Sequence, residues 1–260
     1  MQYHNHRPIP YFQFEWHAPG QRHLIFTRQG GVSQAPFNGL NLSSAVADSR
    51  EHIDINRERA YGLLGHKTNT LVHAHLVHGA AVARVSRAQH GIAVGPVDGL
   101  ITNDPACGLT MNYADCAGIF LYDPVNRAIG LGHAGWGGTV RDLPGAMVGA
   151  MGREFGSNPA QLFAGIGPAI GPCCYEVGEP VIGLVEAAFG GGDGLLIPQK
   201  NGPRPHFDLS EANRRNLARA GVESIEVSGL CTACRTDLFF SHRAEKGRTG
   251  RFGVMLTLAN

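Results

Sequence analysis

The sequence predicts an α/β protein, read as a single domain spanning residues 1–260 with large sheets. Three observations predict it. Short apolar runs closed by turn residues recur along the chain, as buried strands do. Segments with helically spaced apolar residues are interspersed with them, which argues for helices packed on sheets. The 36 glycines and 15 prolines punctuate these segments as tight loops and form no repeating tract.

Taken in order, residues 1–20 read as an extended arm and 23–28 as a strand, followed by a Gly/Pro/Asn-rich loop over 29–41. Residues 49–64 carry Ile53, Ile55, Ala60, Leu63 and Leu64 at helical spacing, with Ser49 as N-cap and Gly65 as stop. Strands are expected at 70–77, 81–86, 109–113, 118–122 and 128–132. A glycine loop then leads into a helix over 140–155. A strand at 162–166, helices at 179–189 and 210–220, and strands at 225–228 and 253–258 complete the chain. Residues 190–194 read as a flexible joint. Strand order is not legible at this level.

Composition excludes several function classes. With 22 basic and 21 acidic residues, the chain has no electrostatic case for nucleic acid or an anionic membrane. No apolar run approaches the roughly 20 residues of a membrane span. The opening residues 1–10 are polar and histidine-bearing, unlike a secretory leader. A cytoplasmic, reducing location is therefore expected, with the six cysteines free or metal-bound.

Three residues carry the chemistry: His78, Cys116 and His133. Each sits at the end of an apolar run beside glycine or another small residue. Two imidazoles and a thiolate are ligand types that hold Zn²⁺ with an open fourth position. Their spacing has no local signature, so convergence is the hypothesis, and isolated structural roles are the alternative. His73 and His75 are rivals that a regular strand would turn to the opposite face from His78. The glycines of Gly132-His-Ala-Gly-Trp-Gly-Gly-Thr139 offer backbone N–H groups to an anion, or simply a tight turn anchored by Trp136.

Other cysteines read as structural. Neighbouring Cys173 and Cys174 lie in a long Gly/Pro loop and would be strained as a disulfide; a packed loop lining a cleft is the expectation. Cys231-Thr-Ala-Cys234 has no second Cys-x-x-Cys to complete a four-thiolate site. Aromatic and basic residues meet at Phe239-Phe-Ser-His-Arg243 and Thr249-Gly-Arg251, where an Arg fork suits phosphate or ribose oxygens.

Several motifs form one ordered set: His-Gly at 78–79, Asp-Gly-Leu-Ile-Thr at 98–102, Ala-Asp-Cys at 114–116 and His-Ala-Gly-Trp at 133–136. Gly-Pro-Ala-Ile-Gly-Pro-Cys-Cys-Tyr-Glu-Val-Gly at 167–178 and Phe-Phe-Ser-His-Arg at 239–243 complete it. The chain closely resembles the YfiH-like family, also called the laccase-domain or multicopper polyphenol oxidase family, whose members have been named peptidoglycan editing factors. The resemblance runs from Leu40-Asn-Leu-Ser43 to Thr249-Gly-Arg251. It implies a layered α/β/β/α sandwich and a zinc site at His78, Cys116 and His133, with copper also reported in the family.

The resemblance also implies phosphorolysis of adenosine, inosine, guanosine and methylthioadenosine, together with adenosine deamination. The partners are then a purine nucleoside and phosphate, and the protein a monomer or weak oligomer. Asn41, Arg57, Arg141 and Arg243 are the candidate substrate-binding residues. Asp115 is a possible proton carrier, but a buried structural role suits it better. Two departures from the family pattern stand out. Leu76 replaces a Gln, and Gly137 replaces an Arg that would contact an anion; Arg141 is the candidate substitute. The rival readings are a copper-dependent polyphenol oxidase, a Cys116-dependent amide hydrolase with His133 as base, and a metal-storing or structural protein without turnover.

Overall fold

The computed structural model describes residues 1–16, 18–199 and 202–259. Its first half contains β1 (Gln2–His4), β2 (Tyr11–Gln13), β3 (Gln21–Phe26), α1 (Arg50–Gly62), β4 (Leu71–Ala74), β5 (Val82–Arg84), β6 (Ala93–Val94), β7 (Gly99–Thr102), β8 (Gly108–Tyr113) and β9 (Ala117–Asp123). The second half contains β10 (Ala128–Ala134), α2 (Trp136–Val140), α3 (Leu143–Phe155), β11 (Phe163–Ile166), α4 (Val181–Phe189), β12 (Leu196–Ile197), β13 (His206–Phe207), α5 (Leu209–Arg219), β14 (Ser224–Val227) and β15 (Phe252–Leu258).

One sheet has the order β1-β2-β3-β15-β8-β4-β6 and the other β14-β11-β9-β10-β7-β5. Alternation along the strands explains how they stack. In β15, Phe252, Val254, Leu256 and Leu258 point between the sheets, while Met255 points outward to Ala60 and Tyr61 of α1. In β9, Phe120 and Tyr122 join the inter-sheet core; Ile119 and Leu121 pack with Met147 and Met151 of α3. The result is the layered helix–sheet–sheet–helix arrangement that the family resemblance implied. Each fully buried large side chain in these layers contributes about 1.5–3 kcal/mol.

Four readings need correction. Where an extended arm was expected over 1–20, β1 and β2 pair antiparallel and extend the first sheet through β3. The strand expected at 70–77 stops at Ala74, because the chain leaves the sheet to reach the site. The helix expected at 140–155 begins at Leu143, since Asp142 adopts φ 57° and its carboxylate accepts the Gly145 N–H at 3.0 Å. Residues 136–140 form the separate α2. Strand β7 was not anticipated; its glycine-led motif masks a run that is buried throughout. At α1, Ser49 holds the N-cap position without a side-chain bond.

Two crossovers between the sheets position the chemistry. The chain passes from β4 to β5 through His78, and from β8 to β9 through Cys116. Strands β4 and β8 are parallel neighbours, so both crossovers leave the first sheet at the same edge. In the second sheet β10 runs antiparallel to β9, with His133 opposite Gly118 and Ala134 opposite Ala117. The end of β10 therefore returns to where Cys116 enters.

The N-terminal strands are locked down where Phe14 lies over Gly165 of β11. A β-carbon at Gly165 would overlap the Phe14 ring. Gly165→Ala is expected to lower stability by roughly 1–3 kcal/mol in urea unfolding. Combined with Phe14→Ala its cost should be much smaller, because the obstructing ring is gone.

Candidate active site

The three expected ligands do converge: one ligand atom from each of His78, Cys116 and His133 lies within 4.8 Å of the others. The His78 and His133 rings meet edge to face with centroids 5.0 Å apart. His78 is exposed, Cys116 half-buried and His133 buried, so the group opens on one side only. His78 itself has φ 58°, a left-handed conformation. Such a residue needs its surroundings to hold it.

Asp98 holds it. This fully buried carboxylate accepts the backbone N–H groups of Val77 at 3.1 Å, His78 at 3.0 Å and Gly79 at 2.7 Å. It also accepts from His133 Nδ1 at 3.1 Å; in the neutral ring that leaves the Nε2 lone pair to bind a metal. An unpaired buried carboxylate costs several kcal/mol, so satisfaction by four donors is what makes the position tenable. Burial pushes the Asp98 carboxyl up, but His133 and the Gly79 and Val77 N–H groups more than offset it and hold it below its ordinary value. A carboxylate behind a ligating histidine fixes the tautomer and ring orientation.

The electrostatics favour an ionised Cys116 beside a protonated His133, a ring that gives up a proton when it ligates a metal. Burial pushes the Cys116 thiol up; the adjacent His133 and His78 rings outweigh it and bring it down to about 6. Burial pushes His133 down; Cys116 and Asp98 outweigh it and raise the ring to about 9. Cys116 therefore ionises readily, which thiolate ligation demands. Two imidazoles and a thiolate, backed by a carboxylate, are a donor set that fits zinc with one position left over.

The glycine loop after His133 works differently from an anion cradle. A β-carbon at Gly135 would come within 2.9 Å of Cys116 Sγ, one at Gly137 within 2.9 Å of the His78 carbonyl, and one at Gly138 within 2.9 Å of the Gly79 carbonyl. These glycines let the start of α2 press against both other ligand loops. Close approach between protein segments explains them without a ligand.

A cavity of about 860 Å³ adjoins the triad, within the size range of small-molecule sites. Arg57, Arg243 and Arg251 line it, along with His73, His75 and Tyr175. His73 within β4, His75 just past its end and His78 in the crossover all line this one cavity, because the chain beyond Ala74 does not continue as a regular strand. Arg57 Nε donates to the Leu42 carbonyl at 2.9 Å, and Arg243 Nη1 to the Glu176 carbonyl at 2.9 Å. Arg141 lies outside the lining, its Nη1 donating to the Gly137 carbonyl at 2.9 Å. Asn41 also lies behind the wall: its amide bonds to Asp48 Oδ2 at 2.8 Å and accepts the Arg251 N–H at 2.9 Å. Asp115 is buried and accepts from Thr232 Oγ1 and the Arg243 N–H, both at 2.7 Å, which is a structural role.

Sequence reasoning missed Asp98 as a working residue, although its motif was visible. It also missed Asn112, whose buried Oδ1 has no partner and which lines the cavity. Nothing local in the sequence distinguishes that Asn from a structural one. Cys173 and Cys174 are free thiols in a loop that lines the cavity, as expected, but the reading that nothing completes the Cys231–Cys234 pair needs correction. The ligand atoms of Cys173, Cys174, Cys231 and Cys234 lie within 4.8 Å of one another, so the Cys-x-x-Cys is completed by the adjacent pair and forms a second candidate metal site.

A two-sheet sandwich with His78 and Cys116 at its crossovers and His133 beside them near the end of β10 defines a protein of the laccase-domain class. Residues 22–259 match the family model described as "Multi-copper polyphenol oxidoreductase laccase", and the chain belongs to that family. Among its relatives is the purine nucleoside phosphorylase YlmD of Bacillus subtilis (strain 168), 37% identical over 86% of this chain and 84% of the relative. The purine nucleoside phosphorylase of Deinococcus radiodurans is 37% identical over 91% and 88%. The crystal structure of YlmD from Geobacillus stearothermophilus superposes with a TM-score of 0.87 at 35% identity, covering 93% of each chain. That of YfiH from Bacillus licheniformis gives 0.88 at 34%, covering 98% of this chain and 100% of the other.

Two outcomes are expected. Asp98→Asn, which puts an amide NH₂ among N–H donors, should weaken Zn²⁺ binding roughly 10–100-fold in a chelator competition while circular dichroism confirms a folded chain. In metal-free protein, iodoacetamide modification of Cys116 should rise through about pH 6, because the depressed pKa keeps thiolate present above that pH. His133→Ala should move that midpoint upward, towards the ordinary thiol value of ~8.5.

Proposed function

We propose that this protein is a zinc-dependent purine nucleoside phosphorylase, acting as one catalytic unit over residues 1–260. The observation that carries the reading is a single cavity faced by both the His–Cys–His group and three arginines. The curated relatives named as purine nucleoside phosphorylases support it. In the reaction a phosphate oxygen bonds to the ribose anomeric carbon as the bond to the purine nitrogen breaks. The electron pair of that bond leaves with the base, which takes up a proton.

Negative charge must therefore be held at two places, on phosphate and on the departing purine. Arg57, Arg243 and Arg251 are the cavity's permanent cations and are assigned to phosphate; an Arg fork matches its oxygens. Tyr175, with the Arg243 guanidinium 5.2 Å from its ring centre, supplies an apolar face for a base or sugar. His78, Cys116 and His133 would hold a zinc ion, which when bound would supply Lewis-acid stabilisation of negative charge. Asn41 and Arg141 lie behind the wall, where Asn41 accepts the Arg251 N–H and Arg141 donates to the Gly137 carbonyl, so neither is assigned a substrate contact.

The proposed substrates are adenosine, inosine, guanosine and methylthioadenosine, with deamination of adenosine as a second activity of the same cavity. Copper oxidase chemistry finds less support. Among the described residues, the groups able to hold a metal are one His–Cys–His set and one four-cysteine set. Neither is the histidine-rich array that several cooperating copper ions require.

A nucleoside panel assayed with and without phosphate tests the reading. Ribose-1-phosphate and free base should appear only with phosphate, and His78→Ala should abolish both; ammonia from adenosine without phosphate reports the second activity. Absence of base release from the wild type under every condition refutes the assignment. Arg57→Ala and Arg243→Ala should each raise KM for phosphate about 10–100-fold, the worth of a hydrogen bond to a charged group. Arg141→Ala should do less, its guanidinium lying outside the cavity lining.

A further inference from the structure

The four-cysteine group stands apart from the catalytic triad and takes no part in the mechanism above. Cys173 Sγ and Cys174 Sγ each lie 3.4 Å from Cys234 Sγ, and all four sulfurs fall within 4.8 Å of one another. In a tetrahedral tetrathiolate with Zn–S bonds of about 2.3 Å, the sulfurs sit about 3.8 Å apart. The two closest pairs, at 3.4 Å, fall just short of that value, and no pair exceeds 4.8 Å. A disulfide needs one sulfur pair at about 2.05 Å, whereas here Cys234 is equally close to two neighbours. That is the pattern of a shared centre.

The surroundings fit a thiolate site. The Gly171 N–H donates to Cys231 Sγ at 3.2 Å, and such N–H bonds stabilise a ligating sulfur. The turn after Cys231 is closed by the Arg235 N–H on the Cys231 carbonyl at 3.0 Å, which brings Cys234 back beside Cys231. The loop of the adjacent pair is closed by the Cys174 N–H on the Gly171 carbonyl at 2.9 Å. A Cys-x-x-Cys turn thus faces a Cys-Cys loop. A small gap at Gly171 permits this, since a β-carbon there would meet Cys231 Cβ at 3.2 Å and Cys173 Sγ at 3.4 Å.

We propose that Cys173, Cys174, Cys231 and Cys234 bind one Zn²⁺ as a closed tetrathiolate that clamps the 167–178 loop to the 231–235 turn. With four protein ligands the site has no open position, so its role is structural. What it clamps is the cavity wall. Ile170 and Tyr175 of the loop line the cavity, and the Ile170 N–H donates to the Asp115 carbonyl at 2.9 Å. From the turn, Thr232 Oγ1 reaches Asp115 Oδ1 at 2.7 Å, beside the catalytic-site Cys116. A zinc ion there would tie together two segments that lie about 60 residues apart in the sequence and both reach Asp115 beside Cys116.

The test uses the full chain carrying His78→Ala and Cys116→Ser, which removes two ligands of the other site and makes the result independent of the proposed activity. Purified under reductant from zinc-supplemented medium, this variant should retain one zinc per chain by elemental analysis. Titration with a mercurial thiol reagent should release that zinc as four thiols react. Cobalt reconstitution should give the intense sulfur-to-metal charge-transfer absorption of a tetrathiolate. Adding Cys173→Ser and Cys234→Ser should remove the remaining equivalent. On zinc removal, hydrogen exchange should show lost protection over 167–178. A zinc-free His78→Ala/Cys116→Ser protein, a disulfide among these cysteines in peptide mapping, or exchange over 167–178 indifferent to zinc would overturn the proposal.

Discussion

The buried carboxylate of Asp98 is the constraint on which the site depends. It sits at the start of β7 with no solvent exposure and must be satisfied by protein donors. The donors available are the N–H groups of the loop leaving β4 and the ring of the residue near the end of β10. Meeting that requirement bends the chain at His78 into a left-handed conformation and fixes the tautomer of His133. Two residues of the His–Cys–His group are thus set by one buried anion. The third, Cys116, needs only the rings beside it to become a thiolate.

The two-sheet architecture makes such a hub possible. A ligand inside a strand would face a packed core, and one in a long loop would be poorly held. Here His78 and Cys116 occupy the short crossovers between sheets, and His133 lies near the end of a strand beside them. Glycines 135, 137 and 138 remove the side chains that would keep these segments apart. Hydrophobic layers on both sides supply rigidity, and the gap at the sheet edge supplies the cavity. The same economy recurs in the cysteine-rich corner, where two loops from distant parts of the chain share one cluster behind the cavity wall.

Much of this was legible residue by residue. The strand patterns at 109–113, 118–122 and 253–258 were visible because alternation and turn residues mark buried strands strongly. The helix at 210–220 was visible through its period. Segments whose local pattern conflicts with their tertiary role were misjudged. Residues 75–77 look like strand but leave the sheet to satisfy Asp98. Residues 99–102 look like a glycine motif but are a buried strand. Residues 1–20 look like an arm because strands of three residues carry almost no periodicity.

Local sequence by itself determined the side-chain inventory, the apolar periods that form two sheets with helices outside, and the presence of ligand-type residues beside small ones at the ends of those periods. Those properties depend on neighbours a few positions away, which a single chain displays. Tertiary structure alone decided that β4 and β8 run parallel to one edge, that β10 returns to it, and that an adjacent cysteine pair completes a distant Cys-x-x-Cys. Such proximities arise from long-range strand pairing and from buried groups seeking partners, and no local pattern encodes either.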